Sequence, residues 1–335
     1  MDLADLTTLR LGGPARAVIE APTEAGLVDA IRIADEAGDP VLLVAGGSNL
    51  VVADEGFDGT VIRVLTSGIT IDSDACSGAM VTIAAGESWD GVVARAIGEG
   101  WIGLEALSGI PGSVGATPIQ NVGAYGQEVS QTIASVRTYD RYDRSIRTIA
   151  AADCGFTYRS SRFKAEPQRY VVLSVTFQLK LGDLGAPIAY AELARTLGVE
   201  LGERAPAAEV REAVLALRRG KGMVLDPDDH DTWSAGSFFT NPLLTAGEAG
   251  ALPPEAPRFA QPDGSVKTSA AWLIDHAGFA RGYGTDHVAL SDKHVLALTN
   301  RGAGTTAELL DLAREIREGV RAAYGVTLVN EPVLI

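Results

Sequence analysis

The feature that most constrains this chain is a stretch rich in glycine. Between Gly98 and Gly126 there are eight glycines in 29 residues, which is more than ordinary turns require. Glycine is the residue that tolerates a positive φ and lets backbone approach another group closely. We therefore predict that this stretch is a system of loops that cradles a ligand.

The centre of this stretch is a long loop at residues 108–128, SGIPGSVGATPIQNVGAYGQE. Long ordered loops inside compact domains are usually functional. Their backbone N–H and C=O groups suit a flat heteroaromatic ring with a polar edge, such as a flavin. A surface Ω-loop is the alternative that the residues leave open.

A second glycine loop, AGGSN at residues 45–49, directly follows the predicted strand Val41–Val44. Backbone N–H groups at the end of a strand, together with hydroxyl and amide side chains, can hold a phosphate. The loop has neither the P-loop sequence nor the dinucleotide fingerprint. A tight turn without a ligand therefore remains open.

The hydrophobic pattern predicts an α+β fold. A strand at 17–20, a helix that begins after Thr23 and a strand at 41–44 form a βαβ-like opening. Later strands are predicted at 61–64, 80–84, 133–139 and 170–179, with helices at 88–97, near 210–220 and at 268–277. The last helix begins with a Thr305 and Glu308 capping box and buries an apolar face, and a terminal strand, VTLVNEPVLI at 326–335, closes the chain.

Composition and charge exclude several classes of function. The 28 basic and 43 acidic residues give a net charge of −15, so we expect no nucleic-acid partner. No apolar run approaches the length of a membrane helix, and the first residues lack an export signal. Cys76, Cys154 and the four histidines form no metal-binding or disulfide pattern, so we expect no metal and a cytoplasmic protein.

Two short segments carry side chains suited to chemistry. FTYRSSRFK at 156–164 contains arginines that can bind an anion through paired N–H groups, although a solvated hairpin is the alternative. GSFFTNP at 236–242 places Ser237 beside two aromatic residues. No nucleophile elbow is present, so Ser237 is open as a proton donor or a turn residue.

Read together, these segments resemble the UDP-N-acetylenolpyruvoylglucosamine reductase family, in its longer type I branch. The resemblance spans nearly the whole chain and includes TTLRLGGPA, AGGSNLVV, GLEALSGIPGSVGATPIQNVGAYGQE, YRSSRFK, AYAEL, LRRGKGMVLDP, AGSFFTNP, QPDGSVKTSAAWLID and NEPVLI. The resemblance implies an FAD-binding fold of the vanillyl-alcohol-oxidase type in two subdomains, followed by a C-terminal α+β substrate-binding domain. The expected ranges are 1–66 completed by 325–335, then 67–205, and 206–324 for the substrate domain.

The resemblance also implies a reaction and its residues. The family reduces UDP-N-acetylglucosamine enolpyruvate with noncovalent FAD and NADPH, for peptidoglycan, cell-wall and cell-shape functions. The catalytic residues would be Arg159, Ser237 and Glu331. Cofactor contacts would fall on Ala45, Gly46, Gly47, Ser48, Asn49, Leu50, Gly109, Ile110, Ser113 and Gly123. Contacts to the nucleotide-sugar substrate would fall on Tyr125, Tyr158, Tyr190, Arg218, Lys221, Asn241 and His294. We expect a monomer with no membrane partner.

Two other classes of function were weighed. A flavin oxidase of the same fold would often hold its flavin covalently on histidine, but the first histidine of the chain is His230. A noncatalytic protein that binds nucleotide sugars would need no redox cofactor and would be colourless when purified.

Overall fold

The computed structural model describes residues 1–74 and 78–335, so Cys76 lies outside the described residues. The helices are α1 (Glu24–Ala37), α2 (Trp89–Gly98), α3 (Arg162–Ala165), α4 (Ala191–Leu197), α5 (Ala207–Gly220), α6 (Ala246–Ala251), α7 (Ala270–His276) and α8 (Thr306–Tyr324). The strands are β1 (Ala15–Ala21), β2 (Val41–Val44), β3 (Leu50–Val51), β4 (Phe57–Val64), β5 (Ile69–Asp74), β6 (Gly78–Ala84), β7 (Trp101–Ile102), β8 (Gly123–Ala124), β9 (Gln127–Glu128), β10 (Ile133–Asp140), β11 (Ser145–Ala150), β12 (Tyr170–Leu181), β13 (Leu243–Leu244), β14 (Phe259–Ala260), β15 (Val266–Lys267), β16 (Val288–Leu290), β17 (Leu298–Asn300) and β18 (Val333–Leu334). The mixture of helices and sheets confirms the α+β fold class.

The chain divides into two compact units, each built from separate segments. The sheet unit comprises Ala15–Gly46 and Asp58–Gly220, and the terminal unit comprises Met1–Pro14, Gly47–Phe57 and Lys221–Ile335. The sheet unit extends past the boundary expected at 205, because α5 packs against α4 in a small core of its own. The expected division into two FAD-binding subdomains and a substrate-binding domain stays a prediction.

The sheet unit begins with the predicted strand, helix and strand. The Thr23 side chain accepts a hydrogen bond from Gly26 N–H and caps α1, which satisfies one of the N–H groups that every helix leaves unpaired. The apolar spacing of α1 buries Leu27 and Ile31. Strands β2 and β4 are parallel neighbours, and β1 pairs with the other edge of β4.

An antiparallel sheet forms the rest of the core of the sheet unit. Its strand order is β11, β10, β12, β6, β5, with β7 also paired to β12. Strand β12 is buried along most of its length because it lies between β10 and β6. The connection from β6 into α2 supports the glycine-rich loop, since Val114 N–H donates to Glu87 O and Gly115 N–H donates to Ala85 O.

The terminal unit is organised around α8. The predicted capping box is present, because the Thr305 side chain accepts from Glu308 N–H while the Glu308 side chain accepts from Thr305 N–H. The predicted apolar face is buried, with Leu309, Ile316 and Val320 fully inaccessible. Burial of side chains of this size contributes roughly 1.5–3 kcal/mol each, so α8 anchors the unit.

The predicted strand at the end of the chain is wrong in its extent. Only β18 is a strand, and it pairs in parallel with β3, Val333 beside Leu50. The preceding residues bond instead to the segment around Phe238: Thr240 N–H donates to Val329 O and Glu331 N–H donates to Phe238 O. Residues 326–332 therefore form a single antiparallel bridge, between Asn330 and Phe239, and no regular strand.

Across residues 1–74 and 78–335, we find no helix that combines the length and the apolar character needed to cross a membrane.

Candidate active site

The predicted site residues fall in both compact units. Those in the sheet unit are Ala45, Gly46, Gly109, Ile110, Ser113, Gly123, Tyr125, Tyr158, Arg159, Tyr190 and Arg218. Those in the terminal unit are Gly47, Ser48, Asn49, Leu50, Lys221, Ser237, Asn241, His294 and Glu331.

In the sheet unit, the two predicted cofactor loops meet at a pair of glycines. A Cβ atom on Gly46 would lie 2.6 Å from the Cα of Gly112, so neither loop leaves room for a side chain there. Gly112 itself has a φ of 111°, and its carbonyl accepts from Trp89 N–H at 3.1 Å. The loop after β2 therefore packs backbone to backbone against the glycine-rich loop at Gly46 and Gly112, and a cofactor cradle at this contact stays a prediction.

In the terminal unit, Gly47 occupies a position that only glycine tolerates. Its φ is 56° and a Cβ atom would lie 1.8 Å from the carbonyl oxygen of Leu6. The Gly47 carbonyl accepts from Thr8 N–H at 3.2 Å. The predicted phosphate loop is thus fixed at Gly47 by residues 6–8, and its binding of an anion stays a prediction.

The predicted cofactor residue Gly109 is held by a carboxylate. Its N–H donates to the Asp90 Oδ1 at 2.6 Å, and Arg211 donates to both Asp90 oxygens at 2.7 and 2.9 Å. Burial by itself would raise the pKa of Asp90, but the hydrogen bonds from Arg211 and Gly109 outweigh burial and lower it. Asp90 therefore joins the glycine-rich loop, through Arg211, to helix α5.

Arg159 lies at the tip of a tight turn in strained backbone. Thr157 and Ser160 bond to each other through their N–H and C=O groups, and Arg159 between them has a φ of 54°. Non-glycine residues in this conformation cost about 1 kcal/mol or more and cluster at functional sites. The guanidinium donates from Nη2 to Gly123 O at 2.6 Å, so the strained turn and a cofactor-loop glycine jointly fix its direction.

Glycine at position 123 is what permits that approach. A Cβ atom there would lie 3.1 Å from the Arg159 Nη1 and 2.8 Å from the carbonyl oxygen of Gln127. The neighbouring Tyr158 ring lies 5.4 Å from the Arg159 guanidinium carbon, within cation–π range. The segment around Arg159 therefore packs on the glycine-rich loop instead of standing free in solvent, and its binding of an anion stays a prediction.

Three of the predicted substrate contacts form a cluster in the sheet unit. Tyr125 and Tyr190 meet edge to face with ring centroids 5.5 Å apart. Arg218 on the last turn of α5 interacts electrostatically with Tyr125, and burial lowers the pKa of its guanidinium to about 10. The guanidinium remains a cation at neutral pH. A partly buried cation that interacts with the Tyr125 phenol is a group suited to phosphate oxygens.

In the terminal unit, one backbone segment links Ser237 and Glu331. Phe238 and Phe239 are 0 and 1% exposed and anchor the segment after Ser237. The Phe238 carbonyl accepts from Glu331 N–H at 2.9 Å, and Phe238 N–H donates to Leu296 O at 2.7 Å. Two predicted catalytic residues that are distant in sequence are thus neighbours of the same peptide.

The surroundings of these two residues are ordered as well. Arg317 on α8 donates to Leu328 O at 3.1 Å and to the Asn330 side chain at 2.5 Å, which holds the segment before Glu331. Ser237 is partly buried and follows Gly236, whose φ is 72°. Its contact with a substrate stays a prediction.

The remaining predicted contacts in the terminal unit lie on loops. The Asn241 side-chain carbonyl accepts from Ala270 N–H at 2.9 Å, which fixes the orientation of the amide. His294 lies between β16 and β17, and its backbone N–H donates to Ser291 Oγ at 3.1 Å. Lys221 follows α5 and is partly buried.

Sequence reasoning missed three polar residues that hold these loops. Asp90 is partly exposed, whereas Asn121 and Glu105 are each 1% exposed. Glu105 accepts from Gly103 N–H and from the Gln127 side chain. The signal available for Asn121 was its place before V-G inside the glycine-rich loop, since asparagine tolerates the left-handed conformation. Glu105 and Asp90 gave no comparable signal.

Comparison with known proteins gives two family matches. The FAD binding domain family matches residues 15–148, and the family described as UDP-N-acetylenolpyruvoylglucosamine reductase, C-terminal domain, matches residues 226–335. These matches confirm the FAD-binding fold expected from the sequence.

Individual relatives match over almost their full length. The UDP-N-acetylenolpyruvoylglucosamine reductase of Cutibacterium acnes is 59% identical over 99% of this chain and 89% of its own. The proteins of the same name from Streptomyces coelicolor and Thermobifida fusca are 58 and 57% identical over 99% of this chain, and over 88 and 96% of their own.

A solved structure agrees with these matches. The crystal structure of UDP-N-acetylenolpyruvylglucosamine reductase from Thermus caldophilus aligns with a TM-score of 0.68 and 25% identity, covering 100% of this chain and 97% of the other. Fold, family matches and full-length identity agree, and the chain belongs to the UDP-N-acetylenolpyruvoylglucosamine reductase family.

Proposed function

We propose that this FAD-dependent reductase converts UDP-N-acetylenolpyruvoylglucosamine to UDP-N-acetylmuramate with NADPH, and that Arg159, Ser237 and Glu331 act directly on the substrate. FAD, when bound, would supply the redox chemistry, which is the transfer of a hydride from NADPH to the terminal carbon of the enolpyruvyl C=C bond. The residues of this chain have to manage the charge and the proton that complete the addition.

Arg159 neutralises the charge. Hydride addition at the terminal carbon leaves negative charge on the carbon next to the carboxylate, and that charge spreads into the carboxylate oxygens. Arg159 is a permanent cation with paired donors for those oxygens. Because its turn and its bond to Gly123 O are already formed, it stabilises the charge without further reorganisation.

Ser237 and Glu331 complete the reaction. Ser237 donates its hydroxyl proton to the carbon next to the carboxylate, so a hydride and a proton together saturate the double bond. Serine is a weak acid, but a strongly basic carbon needs only a donor in the right place. Glu331, when it carries a proton, stabilises the negative charge on the same substrate carboxylate. The observation that carries this assignment is the Phe238 peptide, which joins Ser237 to Glu331.

The nucleotide-sugar substrate is held by phenols and cations. We assign the diphosphate to Tyr190, Arg218 and Lys221, because buried or partly buried cations and phenolic donors suit phosphate oxygens. Tyr125, Tyr158, Asn241 and His294 are assigned to the rest of the substrate. We further propose that FAD is held noncovalently through residues 45–50 and the loop containing Gly109, Ile110, Ser113 and Gly123. The enzyme is proposed to act as a cytoplasmic monomer in peptidoglycan precursor synthesis.

An anaerobic spectral titration tests the overall reaction. NADPH should bleach the flavin absorbance, and the enolpyruvyl nucleotide sugar should restore it without oxygen. Restoration by oxygen but not by this substrate would support a flavin oxidase instead, and a colourless protein that binds the nucleotide sugar would support a binding protein.

A further inference from the structure

We infer that Asn121 is a positioning residue for Arg159, an inference that rests on the catalytic role proposed for Arg159. Its side chain fastens the start of the Arg159 turn to the glycine-rich loop, while its own backbone receives the arginine's guanidinium.

The Asn121 side chain makes three hydrogen bonds in a buried place. Its Nδ2 donates to Thr157 O at 3.1 Å and to the Glu128 Oε2 at 2.8 Å, while its Oδ1 accepts from Ser130 N–H at 3.2 Å. The residue is 1% exposed, so water cannot replace these partners. Thr157 is the residue at which the Arg159 turn begins.

The same segment also holds the other end of Arg159. The guanidinium donates to Asn121 O at 3.4 Å and to Gly123 O at 2.6 Å. The arginine is therefore fixed at its backbone, through Thr157, and at its tip, through residues 121 and 123. Loss of the Asn121 side chain removes the hydrogen bond to Thr157 O. The turn that carries Arg159 can then shift, although the guanidinium still contacts residues 121 and 123.

The backbone at Asn121 offers a clean perturbation. Its φ is 45°, a left-handed conformation that glycine adopts without strain. Asn121→Gly thus removes the three side-chain bonds while the main chain keeps a conformation it tolerates. Asn121→Asp is a second variant, since it keeps the acceptor for Ser130 N–H but replaces the donor to Thr157 O and Glu128 with an oxygen.

The experiment follows both half-reactions of the FAD-loaded enzyme by anaerobic stopped-flow, together with the unfolding temperature of each variant. We expect Asn121→Gly to slow flavin reoxidation by the enolpyruvyl substrate about 10- to 100-fold, the size of effect that small misplacements produce, with flavin reduction by NADPH unchanged. In the Arg159→Ala background, Asn121→Gly should have little further effect, because the group that it positions is gone. Asn121→Asp should also slow reoxidation.

Asn300 supplies a matched control. It is 3% exposed, donates to Leu9 O and Arg10 O, and accepts from Gly302 and Gly304 N–H. Asn300→Ala should lower the unfolding temperature, and its effect on reoxidation should be the same with and without Arg159. The positioning role is wrong if Asn121→Gly and Asn121→Asp lower the unfolding temperature but leave the rate of flavin reoxidation normal. It is also wrong if the loss in that rate caused by either Asn121 variant multiplies with the loss caused by Arg159→Ala. If Arg159→Ala itself reoxidises normally, the proposed function fails instead.

Discussion

Substitution of Gly46 by alanine tests the glycine cradle at the end of β2. An alanine Cβ atom would lie 2.6 Å from the Gly112 Cα, whereas ordinary contact begins at 3.4 Å. The two loops would have to separate by about 0.8 Å, the difference between these distances. Because the neighbouring atoms belong to the backbone, no side chain can rotate to relieve the clash.

The expected loss of affinity for FAD follows from the proposal that the two loops bind the phosphates of the cofactor. A hydrogen bond from a backbone N–H to a charged phosphate contributes about 1.5–3 kcal/mol, and it weakens steeply when its geometry is disturbed. Loss of one such bond would raise the Kd of FAD roughly 10- to 150-fold. The expected change lies in cofactor affinity, while the circular dichroism spectrum should remain that of the native fold.

The assay is titration of the apoprotein with FAD, followed by flavin fluorescence. Gly98→Ala is the matched control, since Gly98 ends α2 and, among the residues that the structure describes, no atom outside its own helix and chain neighbours lies within 4 Å of the Cβ position. Alanine there should leave the Kd unchanged and stabilise the helix by up to about 1 kcal/mol. If Gly46→Ala binds FAD as tightly as the native protein, the contact between the two glycine loops does not shape the cofactor site.

Three further results are expected. Asp90→Asn should lower the unfolding temperature at neutral pH; because the pKa of Asp90 is lowered in the folded state, the difference should persist above about pH 4 and disappear as the native carboxylate is protonated at lower pH. Lys221→Ala should mainly raise KM for the nucleotide sugar, and a comparable loss in flavin reoxidation at saturating substrate would contradict its assignment to the diphosphate. Acid precipitation should release all flavin into the supernatant, and colour retained in the pellet would indicate a covalent bond.

Local sequence signals predicted the regular elements well. Thr23 caps α1, and Thr305 with Glu308 caps α8, because these side chains bond to N–H groups within the same few residues. Periodic apolar residues likewise placed the buried face of α8. Such features depend on neighbours in sequence, so they are visible before the structure is known.

The arrangement of the site depends on partners that are distant in sequence. The contact of Gly46 with Gly112, the anchoring of Arg159 by Gly123 and the link from Glu331 to Phe238 each join separate segments. The same dependence explains why residues 326–332 are irregular although their composition favours a strand. The family resemblance identified the candidate site residues. The structure identified Asn121, Asp90 and Glu105, whose side chains bond to the backbone of the loops that carry those residues.

The proton-donor role of Ser237 is the central claim, and one measurement tests it most directly. Anaerobic stopped-flow of Ser237→Ala should show normal flavin reduction by NADPH, because that step transfers no proton to substrate carbon, and reoxidation by the enolpyruvyl nucleotide sugar slowed by about 10²–10⁴-fold. Ser237→Cys should recover part of the rate, since a thiol can donate a proton from nearly the same place. A normal rate of reoxidation in Ser237→Ala would contradict the account.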